Sequence, residues 1–400
     1  MRALARRRLI IGLVLAVAAA GATLVVAGFT TNKDASTYKV ALVGPQTGVF
    51  APSTVGFMNS AQSKFDIVNK KGGVDGHKLE LIVKDDGGQP NNTLQNVRDL
   101  KDQGVKVFIG VYTAGVLALQ PLMDGSLILF TANPPAIQDD PKQLPYDFNF
   151  FPPNKYAVLK DVQYAKKLGL SKIAIVSDTT AQFQEYVDIA KTMLPKSNLQ
   201  IVLEQRYDPA TTDFSPVISK IKSSGADGVF FFAAGAPVTR LMTAAAAANL
   251  QLPVLGGYGN AAADLTSVPL SYLKKYAYFI STTPGLLDNH SKPLLPKYGA
   301  LIKDVFYHKY GFKAGIGGGV TWDLASAIVW ALDKAGSDDP AKMRAALEST
   351  AKAKAGVAFT QAPVIYHFSK DTHGGFPPSQ VAVAHSYGHK KWPGFYYAAK

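Results

Sequence analysis

The sequence predicts an α/β protein with two parallel-sheet halves, and three observations carry that expectation. Residues 37–90 read strand, loop, helix, turn, strand. That is the βαβ unit a parallel strand pair requires, because its connection must cross back over the sheet. The later strand candidates, VKVFIG at 105–110, SLILFT at 126–131 and GVFFF at 228–232, are near-continuous apolar runs, as strands covered on both faces are. The alternation stops at FNFFPP (148–153) and restarts with the same rhythm, in a chain of 400 residues. Single cores stop growing at roughly 250 to 300 residues.

Taken in order, residues 2–8 carry four arginines and no acid, and 9–29 form an uncharged apolar run. This is an export segment (1–30), either a signal peptide cut after a small-x-small site such as Ala20-Gly21-Ala22 or an uncleaved anchor, since about 20 apolar residues span a bilayer. Cleavage is the favoured reading, and the arginines stay cytoplasmic in both cases. Residues 31–37 are a polar linker. A strand at 39–43 leads through a Gly/Pro-punctuated loop at 44–48 into an amphipathic helix at 54–69, which ends at Lys71-Gly72-Gly73. Ligands of open α/β sheets sit at the carboxyl ends of strands, so Thr47, Phe50, Ser53 and Thr54 are the first binding candidates.

A helix is expected at 92–101, then the strand at 105–110, a loop at 111–115, a helix at 116–123 and the strand at 126–131. FNFFPP reads as a crossing. The second series comprises helix 155–168, strand 173–177, loop 178–183, helix 184–194, strand 200–205, helix 214–223, strand 228–232, helix 238–249 and a short strand at 254–255 before Gly256-Gly257-Tyr258-Gly259. Residues 276–281 read as a return crossing, with helices at 298–310, 320–335 and 340–349, the last with proline in its first turn. In the tail, 364–368 and 380–384 are expected to pair as a hairpin about the turn 369–375, followed by an aromatic end piece at 387–397.

Composition removes several function classes. The formal charge of +13 falls to about +9 without the four leader arginines, and the remaining lysines are scattered rather than striped with aromatics, so nucleic acid is not an expected partner. There is no cysteine, which excludes disulfides, thiolate metal sites, a cysteine nucleophile and lipid attachment at a signal cleavage site. The cluster 367–373 holds two imidazoles and a carboxylate, but His367 and Asp371 flank a hairpin-type turn and nothing nearby completes the three or four converging ligands that zinc needs. Residues 315–319, GIGGG, follow no strand and precede no Gly-Lys-Ser/Thr, so they are a helix start and not a phosphate loop. No Gly-x-Ser-x-Gly appears. The expectation is a protein with no catalytic residues, no metal and no cofactor.

KVALVGPQTG at 39–48, NKKGGVDGHKLELIVKDD at 69–86 and FSKDTHGG at 368–375 resemble the solute-binding proteins of ABC importers, of the leucine/isoleucine/valine-binding type. The likeness runs through most of the chain after its N-terminus. It implies a type I periplasmic-binding-protein-like fold: two Rossmann-like lobes with parallel central sheets, joined by three crossings. Lobe one would comprise 38–151 plus 284–358, and lobe two 152–283 plus 359–400. It also implies a small solute held between the lobes, an ABC permease as partner, an extracytoplasmic location and a monomeric state. The alternative is a ligand-sensing receptor domain of the same fold, anchored by its N-terminal helix.

In the resembling family, hydroxyls and main-chain amides of lobe one hold the solute carboxylate, and an acid of lobe two holds its ammonium. Here Thr113-Ala114-Gly115 stands where two serines usually precede the glycine, so Ala114 replaces an expected hydroxyl. The next loop carries Asn133 and Pro134. In lobe two, Thr179, Gln182 and Phe183 lie in the aspartate-led loop, Gly235 follows the GVFFF strand, and Tyr258 takes the place of the expected acid. With Phe50, Ser53 and Tyr112 these residues are the expected binding set. The two departures, Ala114 and Tyr258, imply a solute other than an ordinary α-amino acid, such as a less polar or aromatic carboxylic acid.

Overall fold

The computed structural model describes residues 37–47, 51–133, 136–283, 286–296, 316–352, 364–387 and 396–399. The export segment, the helix expected at 298–310 and most of the aromatic end piece lie outside them. Among the described residues, no helix is long and apolar enough to cross a membrane.

Five strands form the first sheet in the order β2-β1-β3-β4-β5: β1 (Tyr38–Gly44), β2 (Leu79–Asp85), β3 (Val107–Gly110), β4 (Ile128–Thr131) and β5 (Asp147–Asn149). All neighbours run parallel. Successive side chains of a strand point to opposite faces, and β1 shows the consequence. Val40 and Leu42 join the core that includes Phe57 and Phe65 of α1 (Ala51–Lys70) and Leu324 and Ile328 of α10 (Ile316–Ala335). Ala41 and Val43 join a second core with Val97 and Leu100 of α2 (Pro90–Asp102) and Val116 of α3 (Thr113–Ala118). Both faces are therefore covered, which is why the strands lack polar alternation.

The second sheet runs β11-β13-β12-β10-β9-β8-β6-β7. Its parallel part is β6 (Lys172–Asp178), β7 (Gln200–Tyr207), β8 (Gly228–Phe232), β9 (Val254–Gly256) and β10 (Ala277–Thr282). Its helices are α4 (Asn154–Lys167), α5 (Ala181–Lys196), α6 (Ser215–Ser223), α7 (Ala236–Ala247), α8 (Tyr258–Ala261) and α9 (Leu270–Tyr276). Two short strands, β11 (Leu286–Leu287) and β13 (Tyr396–Ala398), and β12 (Val381–Tyr387) complete the sheet, while α11 (Pro340–Glu348) packs with α10 near β4. The chain passes from the first sheet to the second after β5, returns before α10, and passes back between residues 376 and 381.

Three expectations need correction. The run expected to be a return crossing at 276–281 is β10, a full strand between β9 and β12; an apolar run of that length looks the same in a crossing and in a sheet. The tail hairpin does not form. β12 pairs antiparallel with β10 and β13, while Tyr366 and Phe368 pack on Phe150 with ring centroids at 5.1 and 5.0 Å. Alternating aromatics that suggested strand pairing are buried against the first crossing instead. The helix expected from Val116 begins at Thr113, because Gly115 lets the Tyr112 ring fold over it: a Cβ there would sit 2.6 Å from Tyr112 Cε1.

Candidate functional site

In lobe one the strand-end loops are fastened from beneath. Asp85, at the end of β2, accepts the Gln46 amide on Oδ1 at 2.8 Å and the Thr47 hydroxyl on Oδ2 at 2.8 Å. These donors, the Gln46 amide first, hold its carboxyl below the usual range. Thr54 is buried and donates to the Pro45 carbonyl, so both threonines among the first candidates are engaged within the loop. Phe50 lies outside the described residues, as do the side chain of Ser53 and the whole of Pro134.

Tyr112 is turned toward α2 and the end of β2. Its hydroxyl lies 3.1 Å from Thr93 Oγ1, and Thr93 donates to Asp86 Oδ2 at 2.7 Å; burial pushes the phenol up to about 12. Thr113 and Ala114 form the first turn of α3, where helix geometry leaves backbone N–H groups without intrahelical acceptors. Asn133 follows β4 and is 5% exposed. Its backbone is clamped by Asn149, which accepts the Asn133 N–H at 3.1 Å and donates to the Asn133 carbonyl at 2.8 Å. The Asn133 side-chain Nδ2 is left buried with no acceptor among the described residues, which is uncommon for a buried amide.

In lobe two, Asp178 closes its own loop, accepting from Thr180 N at 2.8 Å and Thr180 Oγ1 at 2.5 Å. Thr179 is exposed, with its N–H on the Tyr207 carbonyl at 3.1 Å. The side chain of Gln182 lies outside the described residues. Phe183 is buried, stacked 5.9 Å from Tyr186, which in turn stacks 4.8 Å from Phe232. Gly235 has φ +65° with open space where a Cβ would be; glycine adopts that conformation without the steric penalty of other residues. Tyr258 is 3% exposed, edge-on to Phe151 at 4.9 Å.

Beneath Tyr258 lies a group that the sequence did not announce. Both carboxyl oxygens of Asp161 (α4) and the hydroxyl of Tyr258 (α8) are buried without a partner among the described residues, and the hydroxyl of Tyr186 (α5) is buried beside the Tyr258 backbone. Burial raises all three groups well above their ordinary values. Asp161 is therefore held as a neutral acid.

The two lobes' candidates share one mooring, the first crossing: Asn133 is tied to Asn149, and Tyr258 abuts Phe151. Around the crossing sits a polar network that sequence reading also missed. Asp147 accepts Thr131 Oγ1 at 2.8 Å and Gln138 Nε2 at 3.3 Å, and burial pushes its carboxyl up to about 8. His373, expected in an open turn, is fully buried, 4.0 Å from Phe148 ring to ring, with Nε2 3.2 Å from Glu348 and Nδ1 3.0 Å from the Asp147 carbonyl. Burial lowers its pKa. Glu348 also accepts Arg344 Nε at 2.7 Å. Nothing in the spacing of residues 147, 161 and 373 signals these contacts.

Residues 37–382 match the family described as periplasmic binding protein. A Leu/Ile/Val-binding protein homolog from Brucella melitensis is 25% identical over 223 residues, which cover 55% of this chain and 61% of that protein. The Pseudomonas aeruginosa binding protein for leucine, isoleucine, valine, threonine and alanine is 24% identical over 336 residues, 82% of this chain and 87% of its own. Among solved structures, a solute-binding protein of an ABC transporter from R. palustris, in complex with 4-hydroxybenzoate, superposes with a TM-score of 0.72 at 19% identity, covering 91% of this chain and 96% of the other.

Proposed function

The chain belongs to the periplasmic binding protein family, and on that premise we propose that it captures a small carboxylic acid between its lobes outside the cytoplasm and presents it, as a monomer, to an ABC permease. Its fold is that of the type I periplasmic binding proteins, and the relatives and neighbours are binding proteins rather than enzymes. In this reading the lobes divide at the three passages of the chain between its sheets, so that β11 goes with lobe two and the tail residues 364–375 with lobe one. Lobes of this kind close as hinged bodies, and the solute supplies the preference for the closed state.

The observation that carries the solute class is the wall of lobe two. Where a ligand ammonium would need an acid, Tyr258 stands with its ring packed on Phe151. Asp178 is committed to Thr180. Asp161 does not restore the charge, because it lies under Tyr258 with no exposure and burial keeps it protonated. An ammonium left without its partner loses roughly 3 to 5 kcal/mol. In lobe one, the unpartnered Asn133 amide and the first-turn amides of α3 supply donors for a carboxylate. The open space at Gly235 suits an apolar or aromatic body, and 4-hydroxybenzoate in the R. palustris neighbour is an acid of that kind.

Calorimetry with 4-hydroxybenzoate, benzoate, phenylacetate and octanoate against leucine, isoleucine, valine and phenylalanine tests this. At least one acid without an amino group is expected to bind about a hundredfold or more tighter than the amino acids. Submicromolar binding of any of the four amino acids, abolished by acetylating the ligand, would refute the reading.

A further inference from the structure

The helix pair that covers one face of the five-stranded sheet carries an inference separate from capture in the cleft. α1 and α10 lie side by side and run in the same direction: Ser60 Oγ is 2.7 Å from Thr321 Oγ1, and Val68 and Val329, further along each helix, line one groove of about 320 Å³. The turn after α1 closes the far end of that groove. It is held by Val74 and His77, which exchange backbone hydrogen bonds at 2.9 and 2.8 Å, and by Gly73 at φ +89°, where a Cβ would lie 2.0 Å from the His77 carbonyl oxygen. The turn leads into the amino end of β2, so the groove and the strand-end loops lie at opposite ends of the sheet.

Two polar groups in the wall of the groove lack the partners that burial normally demands. Ser326 is 3% exposed, and its Oγ has no hydrogen-bond partner among the described residues. Lys64 makes no hydrogen bond or ion pair among them; its ammonium lies 5.7 Å from the Trp322 ring centroid, a contact that attracts charge without accepting a hydrogen bond. Burial, and then repulsion by Lys71, lower its pKa, while Asp323 opposes them. The far end is acidic. Asp75 in the turn and Asp333 in the last turn of α10 line it, beside two helix C-termini with their partial negative charge. Asp333 meets Lys334 at 3.3 Å with both side chains more than half exposed, a surface pair of little weight. Between the ends, Val68, Val74, Val329 and the half-buried Trp330 form an apolar floor. From Ser326 to Asp333 the helix rises about 10 Å.

We infer that this groove is a second ligand site, for a small ω-amino acid: its carboxylate on Lys64 and Ser326 Oγ, its apolar spacer on the valines and Trp330, and its ammonium facing Asp75 and Asp333. A simple acid satisfies one end of the groove and a simple amine the other. A molecule that carries both charges about 7 to 10 Å apart satisfies the two together. The cleft solute does not compete for it, because the cleft loops are at the other end of the strands.

The chain has three tryptophans, so 5-fluorotryptophan labelling gives three fluorine signals, and Trp330→Phe identifies the one in the groove. Titration with 6-aminohexanoate is expected to shift that signal saturably, with a dissociation constant of about 1 mM. Hexanoate and hexylamine, each lacking one charge, should act on it about tenfold more weakly. Lys64→Met, which keeps the apolar stem, and the double variant Asp75→Asn with Asp333→Asn should each weaken 6-aminohexanoate about tenfold, whereas Asn133→Asp in the cleft leaves it unchanged. Circular dichroism melts verify folding, and if Lys64→Met melts early, the double variant decides, since both of its positions are exposed. No saturable shift of the Trp330 signal, equal affinity for the singly charged analogues, or groove variants that bind as the wild type does would overturn the site. A shift abolished by Asn133→Asp would place the ligand in the cleft and overturn it as well.

Discussion

Replacing Asp147 by asparagine should make this protein more stable at neutral pH and flatten its dependence on pH. Asp147 is fully buried, and its carboxyl, pushed up to about 8 by burial, stays protonated in the fold. The hydrogen-bond pattern agrees. Gln138 Nε2 sits 3.3 Å from Asp147 Oδ2 while Gln138 Oε1 has no partner among the described residues. A half-turn of the Gln138 amide lets a protonated Asp147 donate to that oxygen. The folded pKa lies above the unfolded one, so the stability from the neutral acid is complete below about 3.9 and is lost as pH climbs toward 8. At about 1.4 kcal/mol per pH unit over most of that window, the wild type loses about 4 kcal/mol between pH 5 and pH 8 on this account. Asparagine keeps the shape, accepts from Thr131 and donates to Gln138 without a titrating proton. Urea unfolding followed by circular dichroism at pH 5, 6, 7 and 8 is the assay, and the difference between variant and wild type is the readout, because Asp139, whose carboxyl burial pushes up to about 7, adds a similar slope to both. A difference that stays constant across pH would refute the argument, since it would mean that Asp147 is ionised in the fold.

Two further substitutions test the site and its support. Gly257→Ala adds a methyl 2.7 Å from Cε1, Cζ and Oη of Tyr186, a ring held between Phe183 and Phe232; overpacking of this kind costs about 1 to 3 kcal/mol, read as a lowered melting temperature, and an unchanged melt would show that the ring yields. Asn133→Asp removes the unpartnered donor and places a like charge beside a bound carboxylate. Affinity for the best acid should fall at least about tenfold, since a hydrogen bond to a charged group contributes about 1.5 to 3 kcal/mol, whereas an equal dissociation constant would place the carboxylate elsewhere.

The alternation of apolar runs with amphipathic helices was readable in windows of ten to twenty residues, because strand and helix periodicities are local properties. β1 to β4, β6 to β9 and the helices α1 to α7 follow from it, as do the strand ends that carry Thr113, Asn133, Thr179 and Gly235, whereas α8 and α9 do not. Pairing partners were not readable in this way. The runs that became β10 and β12 are apolar and strand-like in either register, and only the open edge of β9 and the aromatic cluster of Phe150, Tyr366 and Phe368 decided which segment joined a sheet. Side-chain direction was also beyond the sequence: Tyr112 turns back to Thr93, and Phe183 and Tyr258 are buried. The charge states depend on the tertiary structure most of all. Asp147 meets His373 from 226 positions away, and Asp139 is covered by the same distant tail. An acid's ionisation is set by the water it loses and the donors it gains, and both are fixed by which distant segments fold against it.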